Sequence, residues 1–198
     1  MHRDEQTFSG VVQRWFGNGF LALDPALQRL HINGGVLDGP VEIKIATGFA
    51  GLLACRLARR LGIPLDSLNP TLCVEIHEDS GKLHWIRTFN TFNGSNRLIS
   101  VFEPIGAWPT GYWIESTGSF RLALRVEVRD GSWHWLPIKA WLNGIRVPLF
   151  LLPKTTAYKR IELGHYRFYV GFSLPLLGTF LSYAGILVPS STTNLFCQ

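Results

Sequence analysis

The residues with the clearest chemical meaning are an arginine and the aromatic side chains beside it in Trp85-Ile-Arg-Thr-Phe89. Just before this segment, Ser80-Gly81 predicts a two-residue hairpin turn, which sets Arg87 opposite Val74. Because side chains alternate between the two faces of a strand, Arg87 then points into an apolar face. An unpaired cation there is very costly. The pattern therefore predicts either an acidic partner, with Glu103 as the candidate, or the anionic end of a ligand.

The register of this hairpin leaves an alternative open. A three-residue turn over 79–81 shifts the pairing by one residue and places Arg87 beside Glu75 on a polar face. We favour the inward position, because it gives Trp85 and Phe89 apolar partners. An inward Arg87 is compatible with a structural salt bridge and with a ligand role alike.

Two tryptophans and one more cation follow the next predicted hairpin turn, Asp130-Gly131. Trp133 and Trp135 fall on the apolar face of that hairpin. Lys139 is a second possible inward cation, but Pro137 indicates an edge strand or a bulge, which reverses the faces after it; we favour an outward Lys139. The candidate ligand-binding residues are Trp85, Arg87, Phe89, Glu103, Trp133, Trp135 and Lys139.

The sequence lacks motifs that indicate a cofactor, a metal or a nucleophile. Gly17-Asn-Gly-Phe-Leu-Ala22 matches a dinucleotide fingerprint in letters, but Asp24-Pro25 starts the following helix too late to face a pyrophosphate. The histidines show no His-Glu-x-x-His pattern, and His77 opposite His84 would be at best a weak adventitious metal site. No Gly-x-Ser-x-Gly elbow is present. We expect no cofactor and no bound metal, and catalytic residues stay unassigned.

Short strands with period-two alternation fill most of the chain after residue 70. Turn dipeptides such as Asn93-Gly94, Asn143-Gly144 and Leu163-Gly164 separate them. The predicted strands lie near 41–45, 71–78, 83–89, 97–103, 112–116, 119–129, 132–142, 156–162, 165–173 and 180–188.

Two helices are predicted before residue 70. The first starts at Asp24-Pro25, a good N-cap followed by proline at the first helical position, and runs to His31. The second covers Phe49 to Leu61 and shows one apolar stripe, expected to pack on the sheet, made of Phe49, Leu52, Leu53, Leu57 and Leu61.

The order of these elements predicts an α+β domain. Its core is a large curved antiparallel sheet, a barrel or half-barrel of about eight to ten strands, on which the two helices of the N-terminal half pack. The expected organisation is an N-terminal segment at 1–14, one domain at 15–188 and a C-terminal tail at 189–198.

Composition narrows the partners and the compartment. The formal net charge is +5 and the pI is about 9.4. We favour a plain solvated face for the basic residues, with peripheral contact with an anionic membrane as the alternative; no nucleic-acid-binding motif accompanies the charge. No run of 18 apolar residues and no signal peptide is evident. Cys55, Cys73 and Cys197 are interpreted as reduced thiols of a cytoplasmic protein.

Several segments together resemble a bacterial family of unknown function, the domain-of-unknown-function family numbered 4166. The resemblance rests on Trp85-x-Arg87-x-Phe89, on Leu142-Asn-Gly-Ile-Arg-Val-Pro148 with Pro153, and on Pro175-Leu-Leu-Gly178 followed by Tyr183-x-Gly185. It also takes in 27–31 and 52–62, so that it covers roughly residues 15–188. Members occur alone or attached to a saccharopine-dehydrogenase-like domain, which is absent here. The resemblance implies no activity and no catalytic residues.

The sequence interpretation is a β-sheet-lined pocket that binds a hydrophobic, lipid-like or polycyclic small molecule, with Arg87 holding its polar end. One alternative is a cofactor-independent cyclase or isomerase acting on an apolar substrate. The other is an interaction module for a separate dehydrogenase-like oxidoreductase.

Overall fold

Antiparallel strands close into a barrel, and the computed structural model describes residues 9–65 and 67–190 of the chain. The strands are β1 (Gly35–Ile45), β2 (Thr71–Asp79), β3 (Lys82–Thr91), β4 (Gly94–Ile105), β5 (Tyr112–Thr117), β6 (Phe120–Arg129), β7 (Ser132–Leu142), β8 (Ile145–Val147), β9 (Lys154–Glu162), β10 (His165–Leu174) and β11 (Gly178–Pro189). Neighbouring strands follow the order β6-β5-β4-β3-β2-β1-β11-β10-β9-β7. Strand β7 also pairs with β6, which closes the barrel, and β8 pairs with β7 at its edge. The predicted α+β fold with a large curved antiparallel sheet is confirmed.

In the described part of the chain, three α-helices accompany the barrel: α1 (Val11–Phe16), α2 (Pro25–Asn33) and α3 (Gly48–Arg60). Helix α2 begins at the predicted cap, where the Asp24 carboxylate accepts a hydrogen bond of 2.8 Å from the Ala26 N–H. Helix α1 and the 3₁₀ segments Gly17–Ala22 and Leu149–Leu151 have no apolar period long enough to predict them. Among the described helices, none has the length and apolarity needed to cross a bilayer.

Two-residue hairpin turns fix the strand register. Ser80, Asp130, Asn143 and Leu163 each adopt a left-handed backbone before a glycine, as type I′ turns require. The turn after β2 therefore pairs Val74 with Arg87 and His77 with His84, as the two-residue interpretation predicts. The three-residue alternative is wrong.

The two ends of the barrel are covered differently. At one end, which we call the plug end, residues 9–34 pack their aromatic side chains into the barrel. Trp15 lies 5.3 Å from Trp113 between ring centroids, and Phe16 lies 5.0 Å from Trp133. At the opposite end, the α3 end, the helix runs from the close of β1 to the start of β4, where Gly62 lies beside Asn96.

Helix α3 packs with only part of the predicted stripe, because Leu53, Leu57 and Leu61 contact the core whereas Phe49 and Leu52 do not. Ala54 and Ala58 are fully buried, whereas Phe49 and Leu52 are each 69% exposed. The small residues face the barrel because their short side chains let the helix backbone come close. The stripe Leu53, Leu57 and Leu61 is only half-buried.

Two further sequence predictions concern the domain bounds and the cysteines. Helix α1 buries Val11 and Val12, upstream of residue 15, and most of the predicted tail at 189–198 lies outside the described residues. Cys55 is a free thiol, but Cys73 is disulfide-bonded, so the expectation of reduced cysteines is wrong for Cys73.

Candidate functional site

Among the residues that the structure describes, two cations point into the barrel interior. Arg87 on β3 faces inward, as predicted. The second is Lys159, on the inward face of β9 with Ala157 and Ile161, where it pairs with Phe168 of β10. Lys159 is 2% exposed and is among the largest fully buried side chains of the described residues.

Arg87 is neutralised inside the protein. Its Nη2 lies 3.3 Å from a carboxylate oxygen of Glu115, and the two side chains are only 16% and 18% exposed. Arg87 also donates to the Ser100 hydroxyl, and its Nη1 lies 3.5 Å from the Tyr183 hydroxyl. Burial opposes the charge, but Tyr183 and Glu115 outweigh it and hold the pKa of Arg87 above its ordinary value. This arrangement is a complete ion pair.

The predicted acidic partner of Arg87 is wrong. Glu103 lies on the outer surface, where it pairs with Lys82 at 3.2 Å. The β4–β5 register explains why Glu115 and not Glu103 pairs with Arg87. It sets Glu115 opposite the inward-facing Phe102, so Glu115 also points inward. Glu103 follows Phe102 on β4 and therefore points to the other face.

Lys159 has a different environment. Its Nζ lies 2.6 Å from Nε2 of His31 and 3.7 Å and 4.5 Å from the ring centroids of Trp133 and Trp85. The amine donates to Nε2 when His31 carries its proton on Nδ1. In the described part of the chain, no carboxylate forms an ion pair with Lys159.

Burial controls the protonation of this pair. It lowers the pKa of Lys159 well below the ordinary value for lysine. It also lowers the pKa of His31 well below the ordinary value for histidine, and the nearby Lys159 cation lowers it further. The tryptophan ring faces favour the ammonium form of Lys159 and oppose burial in part. A histidine and a lysine in direct contact without a carboxylate cannot both carry a charge at low cost.

A cavity of about 50 Å³ lies between the two cations. Apolar and aromatic side chains form most of its wall. Two of its lining residues, Trp85 and Arg87, carry buried N–H groups, Nε1 and Nε, that lack an acceptor among the described residues. The cavity is lined by Leu72, Val74, Trp85, Arg87, Trp135, Ala157, Tyr158, Lys159, Tyr166, Phe168, Tyr169, Val170, Tyr183 and Leu187. This wall offers donors in excess of acceptors, so it suits a molecule that supplies oxygen acceptors.

Most of the aromatic candidates lie in or beside this site. Trp85 and Trp135 line the cavity, and Trp133 contacts Lys159. Phe89 is buried against Tyr183, with 5.7 Å between ring centroids, and does not border the cavity.

Lys139 points outward. A bulge between Ala123 and Leu124 pairs those residues with Lys139 and Pro137, so the strand faces reverse after the proline. The Lys139 amine is exposed and lies 6.0 Å from the centroid of the Tyr112 ring.

The sequence interpretation missed Lys159, His31 and Glu115. A signal for Lys159 exists, because Ala157 and Ile161 share its face of the predicted strand at 156–162 and outline an apolar side. His31 gives no such signal, because it ends a helix separated from Lys159 by 128 positions.

The family model "Domain of unknown function (DUF4166)" matches residues 23–187, and the chain belongs to this family. Neither the curated proteins nor the solved structures contain a match to the chain. The matched range includes α2 with His31 and every strand that lines the cavity.

Proposed function

We propose that the barrel interior binds a small molecule with an apolar body and a carboxylate or carbonyl oxygen, which Lys159 holds. The observation that carries this proposal is the buried amine at the cavity wall, which has no carboxylate partner among the described residues. A ligand oxygen would supply the acceptor that the site lacks.

Arg87 has a secondary role in this proposal. Glu115 already balances its charge at 3.3 Å, so a ligand anion gains little from it. Its free Nε–H and that of the Trp85 indole are additional donors for a second oxygen.

The cavity size sets the size of the ligand. Pockets for drug-sized molecules measure roughly 300–1000 Å³, whereas this cavity measures about 50 Å³. A compound of a few heavy atoms fits the structure as it stands. A lipid-like or polycyclic ligand requires aromatic side chains of the interior to move.

A ligand series tests the proposal. Butyrate should bind and change the tryptophan emission, because Trp85, Trp133 and Trp135 surround the site, whereas butylammonium, with a similar apolar body and the opposite charge, should not. The Lys159→Met variant should lose butyrate affinity by at least about tenfold. The matched control is Lys154→Met, which removes an exposed lysine from the same strand.

Two results would contradict the proposal: equal binding of butyrate and butylammonium, or full butyrate affinity in Lys159→Met. Longer straight-chain carboxylates measure how far the interior opens. An affinity that keeps rising with chain length would favour the lipid-like ligand over the small one.

A further inference from the structure

The neighbours of Lys159 suit a reactive amine as well as a binding group. The side chain emerges from β9 into an apolar, aromatic environment at the cavity wall, and the only polar side chain its amine contacts among the described residues is His31. Desolvation in such a setting is a known way to obtain a neutral, nucleophilic lysine near neutral pH.

We propose that Lys159 forms an imine with an aldehyde or ketone held in the cavity, an inference that rests on the proposed function and assigns its substrate class. The Nζ lone pair attacks the carbonyl carbon, and a C–N bond forms while the carbonyl oxygen takes up a proton. The resulting hydroxyl then leaves as water and the C=N bond forms. Both protons of that water come from the amine, so the reaction needs no oxidant, reductant or further reactant.

His31 is placed to assist this reaction. Its Nε2 lies 2.6 Å from Nζ, within reach of every proton that the amine gives up. A neutral imidazole can accept a proton from the attacking amine and return it to the leaving oxygen. The burial that lowers the pKa of His31 keeps the ring in this neutral form.

Arg87, the second cation at the cavity, could bind a carboxylate of the same substrate. A ketone with an adjacent carboxylate would find donors in the free N–H groups of Arg87 and Trp85 on the cavity wall. A further proton taken up from water would charge the imine nitrogen, which would then draw electrons from the substrate carbons. This is the chemistry of decarboxylation or proton transfer next to a carbonyl group.

Reductive trapping tests the inference. The full chain is incubated with propanal or butanone near neutral pH, sodium borohydride reduces any imine to a stable secondary amine, and peptide mass mapping locates the adduct. We expect Lys159 to gain the mass of the carbonyl compound less one oxygen. It should be labelled at least about tenfold faster than Lys154, because exposed amines stay protonated at this pH.

Variants separate chemistry from binding. Lys159→Arg and Lys159→Met should lose this adduct, and Lys154→Arg should not affect it. His31→Gln should slow labelling and change its pH profile while butyrate still binds, since a merely structural histidine would alter both equally.

The outcomes distinguish the two proposals. If butyrate binds in a Lys159-dependent way but Lys159 is not labelled, the imine is overturned and the binding function stands. If neither occurs, both fall. Labelling of Lys154 at the same rate as Lys159 also overturns the imine, because it shows ordinary surface reactivity.

A separate observation concerns the outer surface at the α3 end. At this end β1 finishes, β2 and β4 begin, and β10 turns into β11. The hairpin turns and connections between these strands carry many exposed apolar side chains. The exposed large apolar residues of these segments are Phe49, Leu52, Leu68, Phe92, Ile145, Leu149, Phe150, Leu151, Leu176 and Leu177.

Charge accompanies this apolar surface. Phe49, Leu52, Arg56 and Arg59 follow one another at helical spacing along the exposed face of α3. Arg60 and Arg146 are exposed at the same end. In the sequence of the connections there, at 46–70, 92–93, 118–119, 143–153 and 175–177, Asp66 is the one acidic residue.

From these two features we infer that the α3 end docks on the surface of an anionic lipid bilayer. Apolar tips that enter the lipid interface and arginines at the level of the headgroups are the pattern of peripheral membrane binding. The charge favours a bilayer over an apolar protein surface, because acidic headgroups complement several arginines at once.

Vesicle co-sedimentation tests the docking surface. The protein should bind phosphatidylcholine vesicles that contain phosphatidylserine, and should bind pure phosphatidylcholine weakly. Phe49→Ser with Leu52→Ser should abolish binding, and Arg56→Gln with Arg59→Gln should remove the preference for phosphatidylserine. The matched control is Leu21→Ser with Leu163→Ser, which changes exposed apolar residues at the plug end.

Absence of vesicle binding would overturn the docking surface. So would a stable dimer that Phe49→Ser with Leu52→Ser dissociates, because a second copy would then cover this end. Equal loss in the plug-end control would show that the effect is not specific to α3.

Discussion

Arg87 and Lys159 point into the same barrel but have opposite electrostatic environments. Arg87 has a carboxylate at 3.3 Å and two hydroxyls, whereas Lys159 has a neutral histidine at 2.6 Å and tryptophan rings. A buried cation whose charge is balanced by a carboxylate is part of the structure. A buried amine without an anion costs stability, and such a cost is typical of a group that is kept for function.

The largest effect should follow from breaking the Arg87 pair. Glu115→Leu leaves a buried guanidinium without its anion, so the free energy of unfolding should fall by about 3–5 kcal/mol. The double variant Arg87→Met with Glu115→Leu should recover most of the loss in urea unfolding. The control Glu103→Leu removes an exposed ion pair and should cost less than about 1 kcal/mol. A double variant as unstable as Glu115→Leu would show that the pair itself is not the cause.

Replacement of Lys159 should have the opposite sign. Lys159→Met removes a desolvated amine, so the free energy of unfolding at about pH 6 should stay the same or rise by about 1–2 kcal/mol. If Lys159 resembled Arg87 in having a structural anion, the same change would instead destabilise the protein.

The pH dependence of this difference follows from the lowered pKa of Lys159. Between the folded and the unfolded pKa, the unfolded chain binds more protons, so the wild type gains stability as the pH rises towards about 10 and loses it as the pH falls. The other titratable groups that line the cavity or contact Lys159 are His31, Arg87, Tyr158, Tyr166, Tyr169 and Tyr183. Unfolding curves measured across this pH range should show no such rise in stability for Lys159→Met. A rise that persists in this variant would mean that another group causes it.

His31 should give a smaller effect at lower pH. Its folded pKa is lowered, so the contribution of the neutral ring is complete above about pH 6.5 and declines as the pH falls below that value. His31→Gln should remove about 1 kcal/mol of this acid sensitivity in thermal unfolding. An unchanged acid profile would mean that His31 is not the group that titrates.

The contrast between the two cations also marks the limit of sequence inference. The inward position of Arg87 was predictable, because a local two-residue turn fixes the β2–β3 register. Glu115 was not, since the connection at 106–111 sets the β4–β5 register and carries no turn motif of known length.

Lys159 depends on contacts that are remote in the sequence. Its partners come from α2, β3 and β7, and only closure of the barrel brings these elements together. The same holds for α3, where the largest apolar residues suggested the buried face. The most deeply buried side chains of α3 are those of Ala54 and Ala58, and Leu53, Leu57 and Leu61 pack beside them.

The smallest effect should come from a third cation, which sharpens the comparison by lying outside the barrel. Lys139 faces solvent because the bulge opposite Pro137 reverses the strand, and its amine lies 6.0 Å from the centroid of the Tyr112 ring. Lys139→Met should therefore change the free energy of unfolding by less than about 1 kcal/mol and leave butyrate binding and the Lys159 adduct intact. Urea unfolding and the trapping assay measure both. Loss of butyrate binding in this variant would place the site at β7 rather than β9, and the distinction between Arg87 and Lys159 would then no longer identify the functional amine.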